Sequence, residues 1–116
     1  MTFGSYVRDV RERRLDDDRS YSLRQVAGRV GLEPAYLSKI ERDVTAPPSE
    51  ATIGRLAEDL GEDRDLLLAM AGKVSNDLQQ IIIRRAPIFA DLLRQLKELP
   101  DHAVLRIVRE VRDGDW

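Results

Sequence analysis

The chain contains no cysteine, which excludes disulfides, thiolate nucleophiles and thiolate-bound metals and permits a reducing compartment. It has a single histidine, His102, next to Asp101 and without a nucleophile to serve, so imidazole-based catalysis has no constellation to work with. The seven glycines are scattered one at a time, and none builds a phosphate-cradling loop. No apolar run approaches the roughly 20 residues of a membrane span. The opening residues, Met1 to Tyr6, lack the basic and apolar regions of a signal peptide, so the expected location is cytoplasmic. Positive charge is not in excess either. Nineteen basic residues face 21 acidic ones, for a net charge of −2, which excludes a global polycation holding nucleic acid by charge alone. Three consecutive aspartates, Asp16 to Asp18, lack the spacing of a calcium loop and read as a solvated connection. Paired carboxylates such as Glu58 and Asp59 are expected on an exposed helix face. The expectation is a non-enzymatic protein with no cofactor, no metal and no membrane partner.

What is present is helix. With 42% hydrophobic and 34% charged residues over 116 positions, the composition suits a folded helical domain with a helical appendage and argues against disorder. The organising stretch is Leu32 to Asp43. Pro34 suits a first helical turn, where its missing N–H is not needed. Leu37 and Ile40 then mark an apolar side, with Ala35 and Glu41 near it, while Tyr36, Ser38, Lys39 and Arg42 form a polar side able to donate to phosphates or base edges. Just upstream, Ser22 caps a short helical pattern that Gly31 ends in a left-handed turn. Two short helices joined by a glycine turn, the second polar on its outer face, read as a helix-turn-helix. From Arg19 to Arg42 five basic residues (Arg19, Arg24, Arg29, Lys39, Arg42) stand against Glu33 and Glu41, a local positive patch on a mildly acidic chain.

Ser22-Leu-Arg-Gln-Val-Ala27, Gly31 and Tyr36-Leu-Ser-Lys-Ile-Glu-Arg42 together resemble the phage-repressor-like (Cro/CI, XRE) helix-turn-helix regulators, over about Tyr6 to Met70. The resemblance implies an all-α fold, a five-helix DNA-binding domain followed by a helical C-terminal dimerisation segment, with the boundary at residues 1–72 and 73–116. It places base readout at Pro34, Ala35, Ser38 and Lys39, with Tyr36 poised for a base or phosphate. Glu33 stands where a Ser or Thr cap is common and offers an acceptor to cytosine N4. Phosphate contacts are expected from Ser22, Arg24, Arg29, Arg42 and Thr45, because helix N-termini and flanking loops straddle the backbone. The family also places an ion pair between the first and third helices, at Arg11 and Glu41. The connection from Leu15 to Tyr21 is about five residues longer than the family's usual turn.

Around that motif, Tyr6, Val7, Val10 and Leu15 give a first helix over 3–14. Pro47 and Pro48 mark a loop, Ser49 caps a fourth helix over 50–60, and Asp63 caps a fifth carrying Leu66, Leu67, Met70 and Ala71. Three further helices follow a hinge at 72–75. Their apolar positions, among them Phe89, Leu92, Leu93, Leu96, Val104, Val108 and Val111, exceed what about forty residues can bury alone. They are assigned to self-association. The functional expectation is a sequence-specific transcriptional regulator, a homodimeric repressor on double-stranded DNA. The alternative is an antitoxin-like or adaptor protein whose C-terminal helices sequester a partner protein.

Overall fold

The computed structural model describes all 116 residues and contains only helices. They are α1 (Phe3–Leu15), α2 (Leu23–Val30), α3 (Pro34–Glu41), α4 (Glu50–Leu60), α5 (Arg64–Met70), α6 (Asn76–Arg84), α7 (Ala86–Leu96) and α8 (Asp101–Asp113), with a single 3-10 turn at Arg19–Tyr21. The chain divides into two compact units, Met1–Ser75 and Asn76–Trp116.

Local chemistry sets the helix starts of the first unit. Ser22, Ser49 and Asp63 each accept a hydrogen bond from a backbone N–H of the turn they open, replacing a partner that the first turn lacks. Thr2 does the same for α1 in a reciprocal box: its hydroxyl accepts from Ser5 N–H while its own N–H donates to the Ser5 hydroxyl. The aspartate run ends in a third kind of cap. Asp18 accepts from Ser20 N–H at 2.9 Å and starts the 3-10 turn.

The core of this unit is one cluster. Val7, Val26, Leu37, Ile53, Leu56, Leu67 and Leu68 are fully buried, with Phe3, Val10, Val30, Ile40 and Leu60 nearly so. Each such aliphatic side chain contributes about 1.5–3 kcal/mol by leaving water. On α5 the buried pair is Leu67 and Leu68, not the pattern read from sequence: Leu66 is 43% exposed, and Met70 and Ala71 pack at the margin. In a seven-residue helix with three consecutive leucines, periodicity alone cannot choose between adjacent phases.

One close approach sets the relation of α1 to α3. Gly4 is buried, and a Cβ there would collide with the Ile40 carbonyl oxygen and lie 2.6 Å from Asp43 Oδ1. Only glycine lets the start of α1 come this near to the end of α3. Thr2 Oγ1 donates to Asp43 Oδ2 at 2.7 Å and closes the same junction, with Asp43 in the left-handed region at φ 59°.

The second unit has no fully buried residue. Ile82, Phe89, Leu96, Ala103, Val104 and Ile107 are half-buried, whereas Ile83, Ile88, Leu93, Leu105 and Val111 are more than half exposed. No helix of the chain is long and apolar enough to cross a membrane.

Candidate nucleic-acid interface

The candidate site is the outer face of α3 with the N-terminal end of α2. Gly31, at φ 75°, takes the left-handed conformation that ends α2, and Leu32 N–H returns to the Ala27 carbonyl at 2.9 Å. The chain is then free to restart at Pro34, the first residue of α3. Glu33 occupies the cap position through its carbonyl only, which accepts from Tyr36 and Leu37; its carboxylate makes no cap bond and faces solvent.

Within α3, Leu37, Ile40 and Glu41 are buried, while Ala35, Tyr36, Lys39 and, just beyond the helix, Arg42 are exposed. Ala35 thus belongs to the solvent face rather than beside Leu37, as the apolar pattern suggested. The reason is angular: Ala35 stands about 200° around the helix from Leu37. Pro34 and Ser38 are half-buried at the edges of the exposed strip, and Arg42 Nε reaches Ser38 Oγ at 3.3 Å.

Beneath that strip lies a buried ion pair. Arg11 Nε and Nη2 donate to the two carboxylate oxygens of Glu41 at 2.7 and 2.9 Å, and Nη1 donates to the Tyr21 carbonyl at 3.2 Å. Both side chains are more than nine-tenths buried. The bidentate geometry sets the rotation of α3 about its axis as well as its distance from α1.

On α2, Ser22 caps the helix through Gln25 N–H, and Arg24 is exposed. Arg29 has a different setting from the phosphate-binding one expected of it. Its guanidinium forks onto Asp59 at 2.6 and 3.1 Å and lies 5.2 Å from the centre of the Tyr21 ring, with Arg14 at 5.6 Å from the same ring. The hydrogen bond to Asp59 raises the Arg29 pKa further above its ordinary value. Tyr21 Oη also donates, at 3.4 Å, to the Asp59 carbonyl. The lengthened connection after α1 is therefore fastened to the last turn of α4. Arg55 separately ties α4 to α2, donating through Nε to the Val30 carbonyl at the end of α2. Thr45 Oγ1 is buried and without a partner, so its hydroxyl is not presented to a phosphate.

Sequence reading did not find the Tyr21–Arg29–Asp59 cluster, the Arg55 bond or the Thr2–Asp43 bond. Their hydrogen bonds join residues 25 to 41 positions apart, and no local spacing signals them.

Two short helices meeting at Gly31, the second with its inner face in the core and its outer face open, make a helix-turn-helix. Residues 2–70 match the family model described as a helix-turn-helix domain, more than half of the chain, and the chain belongs to that family. This accords with the phage-repressor-like regulators and places the domain among DNA-binding modules. No significant match was found among curated proteins or solved structures.

Proposed function

We propose that this protein is a sequence-specific transcriptional regulator that binds double-stranded DNA as a homodimer and represses by occupying its operator. The observation that carries the reading is the exposed row Ala35, Tyr36 and Lys39 on a helix whose other face is locked by Leu37, Ile40 and the Arg11–Glu41 pair. A rigid helix with a free polar face is what major-groove reading requires. Lys39 donates to guanine O6 or N7, the Ala35 methyl meets a thymine methyl, and Tyr36 and Ser38 supply hydroxyls. Ser22, Arg24 and Arg42 hold the phosphates. Arg29, already spent on Asp59, is not in that set.

Homodimerisation is supported by the second unit, where eleven apolar residues from Leu78 to Trp116 are at least 36% exposed (Leu78, Ile81, Ile83, Ile88, Leu92, Leu93, Leu99, Leu105, Val108, Val111 and Trp116). Of the residues expected at the dimer face, Leu92, Leu93, Val108 and Val111 are exposed and available to a second copy, whereas Phe89, Leu96 and Val104 are already half-buried within the unit. Two recognition helices about 34 Å apart would read successive major grooves on one side of the duplex. The same unburied surface suits the adaptor reading, and DNA binding separates the two. Selection from a random duplex pool should yield a two-fold symmetric consensus. Recovery of no enriched sequence, with binding no stronger than to random duplex, would defeat the proposal.

A further inference from the structure

The dimer reading leaves open how the second unit recognises its copy, and α8 carries a pattern that answers this. Asp101, Leu105, Val108 and Arg112 follow one another at spacings of four, three and four, which keeps them within about 60° of one another on a single face of the helix. All four are exposed, Leu105 at 53% and Val108 at 49%. The adjacent apolar residues Val104 and Ile107 are half-buried, so the unit already shields a different side of α8.

The order along the exposed face is acid, aliphatic, aliphatic, base. A sequence of that form is self-complementary in one direction only. In a two-fold interface, residue i of one copy meets residue j of the other, and j meets i in return. With the axis between Arg106 and Ile107, an antiparallel pair sets Asp101 against the partner's Arg112, twice. It also sets Leu105 against the partner's Val108, twice. A parallel pair would set Asp101 against Asp101 and Arg112 against Arg112. Like charges at those positions oppose it.

We propose, resting on the homodimer reading above, that α8 is the orienting element of self-association. It packs antiparallel on α8 of a second copy, with Asp101 and Arg112 fixing direction and register around a Leu105–Val108 seam. Arg112 is now 3.2 Å from Asp113, both side chains about two-thirds exposed. That pair is solvated and weak, and it yields to a better-placed partner carboxylate.

The test is a charge-swap cycle on the full chain, read as the dimer dissociation constant by sedimentation equilibrium. Asp101→Arg should create two Arg–Arg encounters per dimer and Arg112→Asp two Asp–Asp encounters, each weakening association by about tenfold or more. The double variant Asp101→Arg/Arg112→Asp restores both attractions with their signs reversed. It should return to within about threefold of the wild-type constant, as expected when only the coupling between the sites matters. A purely structural role predicts the opposite ranking. Asp101 in the first turn and Arg112 in the last each favour the helix dipole, so the double swap would then be the weakest associator of all.

The proposal is overturned by that ranking, by three variants indistinguishable from wild type, or by a wild-type chain monomeric at about 50 μM, well above the micromolar constants of ordinary specific interfaces. The DNA reading stands or falls separately. Lys39→Ala alters the sequence selected and leaves the charge-swap pattern untouched.

Discussion

Arg11 and Glu41, thirty residues apart, meet through two parallel hydrogen bonds of 2.7 and 2.9 Å inside the core. Desolvating both charges offsets most of their attraction, so the pair contributes position more than net stability. Removing one partner is another matter. Arg11→Ala should cost about 3–5 kcal/mol, because it strands a buried carboxylate. The double change Arg11→Met/Glu41→Leu should cost clearly less than the two single changes added together. Urea denaturation of the four chains checks this, and additive losses would show that the two side chains act independently.

The exposed strip of α3 leads to a prediction about sequence preference. Lys39→Ala should weaken specific binding by about 1–3 kcal/mol and relax one guanine in each half-site. Arg42→Ala should weaken binding to all sequences alike and reduce the salt dependence by about one ion. Repeating the duplex selection with each variant distinguishes the two roles. An unchanged consensus for Lys39→Ala would remove that residue from the reading surface.

Arg24 and Arg29 lie on one short helix and differ in occupation. Arg29 is held by Asp59 and stacked on Tyr21, whereas Arg24 is exposed. Arg24→Ala should lower the slope of log affinity against log salt by about one, and Arg29→Ala should leave the slope nearly unchanged while reducing stability. Equal slopes for the two variants would mean that Asp59 releases Arg29 when DNA arrives.

Acid should loosen α1 and the connection that follows it. Hydrogen bonds from the Ser20 side chain and backbone lower the Asp18 pKa below its ordinary value, and a hydrogen bond from Arg8 does the same for Glu12. A carboxylate with a depressed folded-state pKa stabilises the fold above its unfolded value, and that contribution is lost as pH falls through the folded value. For both groups the loss lies at and below about pH 4. Asp18→Asn keeps an acceptor but not the titration. Its urea midpoint should therefore fall less than the wild type's between about pH 6 and about pH 3. An equal fall in both chains would separate Asp18 from the acid response.

Much of the first unit was legible because its instructions are short-range. Ser22, Ser49 and Asp63 cap within three residues, Pro34 marks a first turn, and Gly31 and Gly61 end α2 and α4 in left-handed geometry. Periodicity failed where it was underdetermined. On α5 three consecutive leucines in seven residues fit more than one phase, so Leu66 and Leu68 cannot be told apart. On α3 small size and apolar character group Ala35 with Leu37, although the helical angle sets them on opposite sides. In the second unit Ile107 has substantial cover although it stands outside the apolar set the α8 pattern suggests. Long-range polar contacts were illegible by any spacing rule. Arg11 and Glu41 came into view only through likeness to a family, and Tyr21 with Arg29 and Asp59 had no such guide.

The division of labour along α3 bears on how readily this protein could be redirected. Gly4, Arg11, Leu37, Ile40 and Glu41 form the mount, and none of Ala35, Tyr36 and Lys39 belongs to the core or to its buried ion pair. The outer face can therefore change while the mount stays as it is. On the DNA-reading function proposed above, a new operator preference could be written at these three exposed positions with little loss of stability, which would make the helix a natural scaffold for grafted specificities.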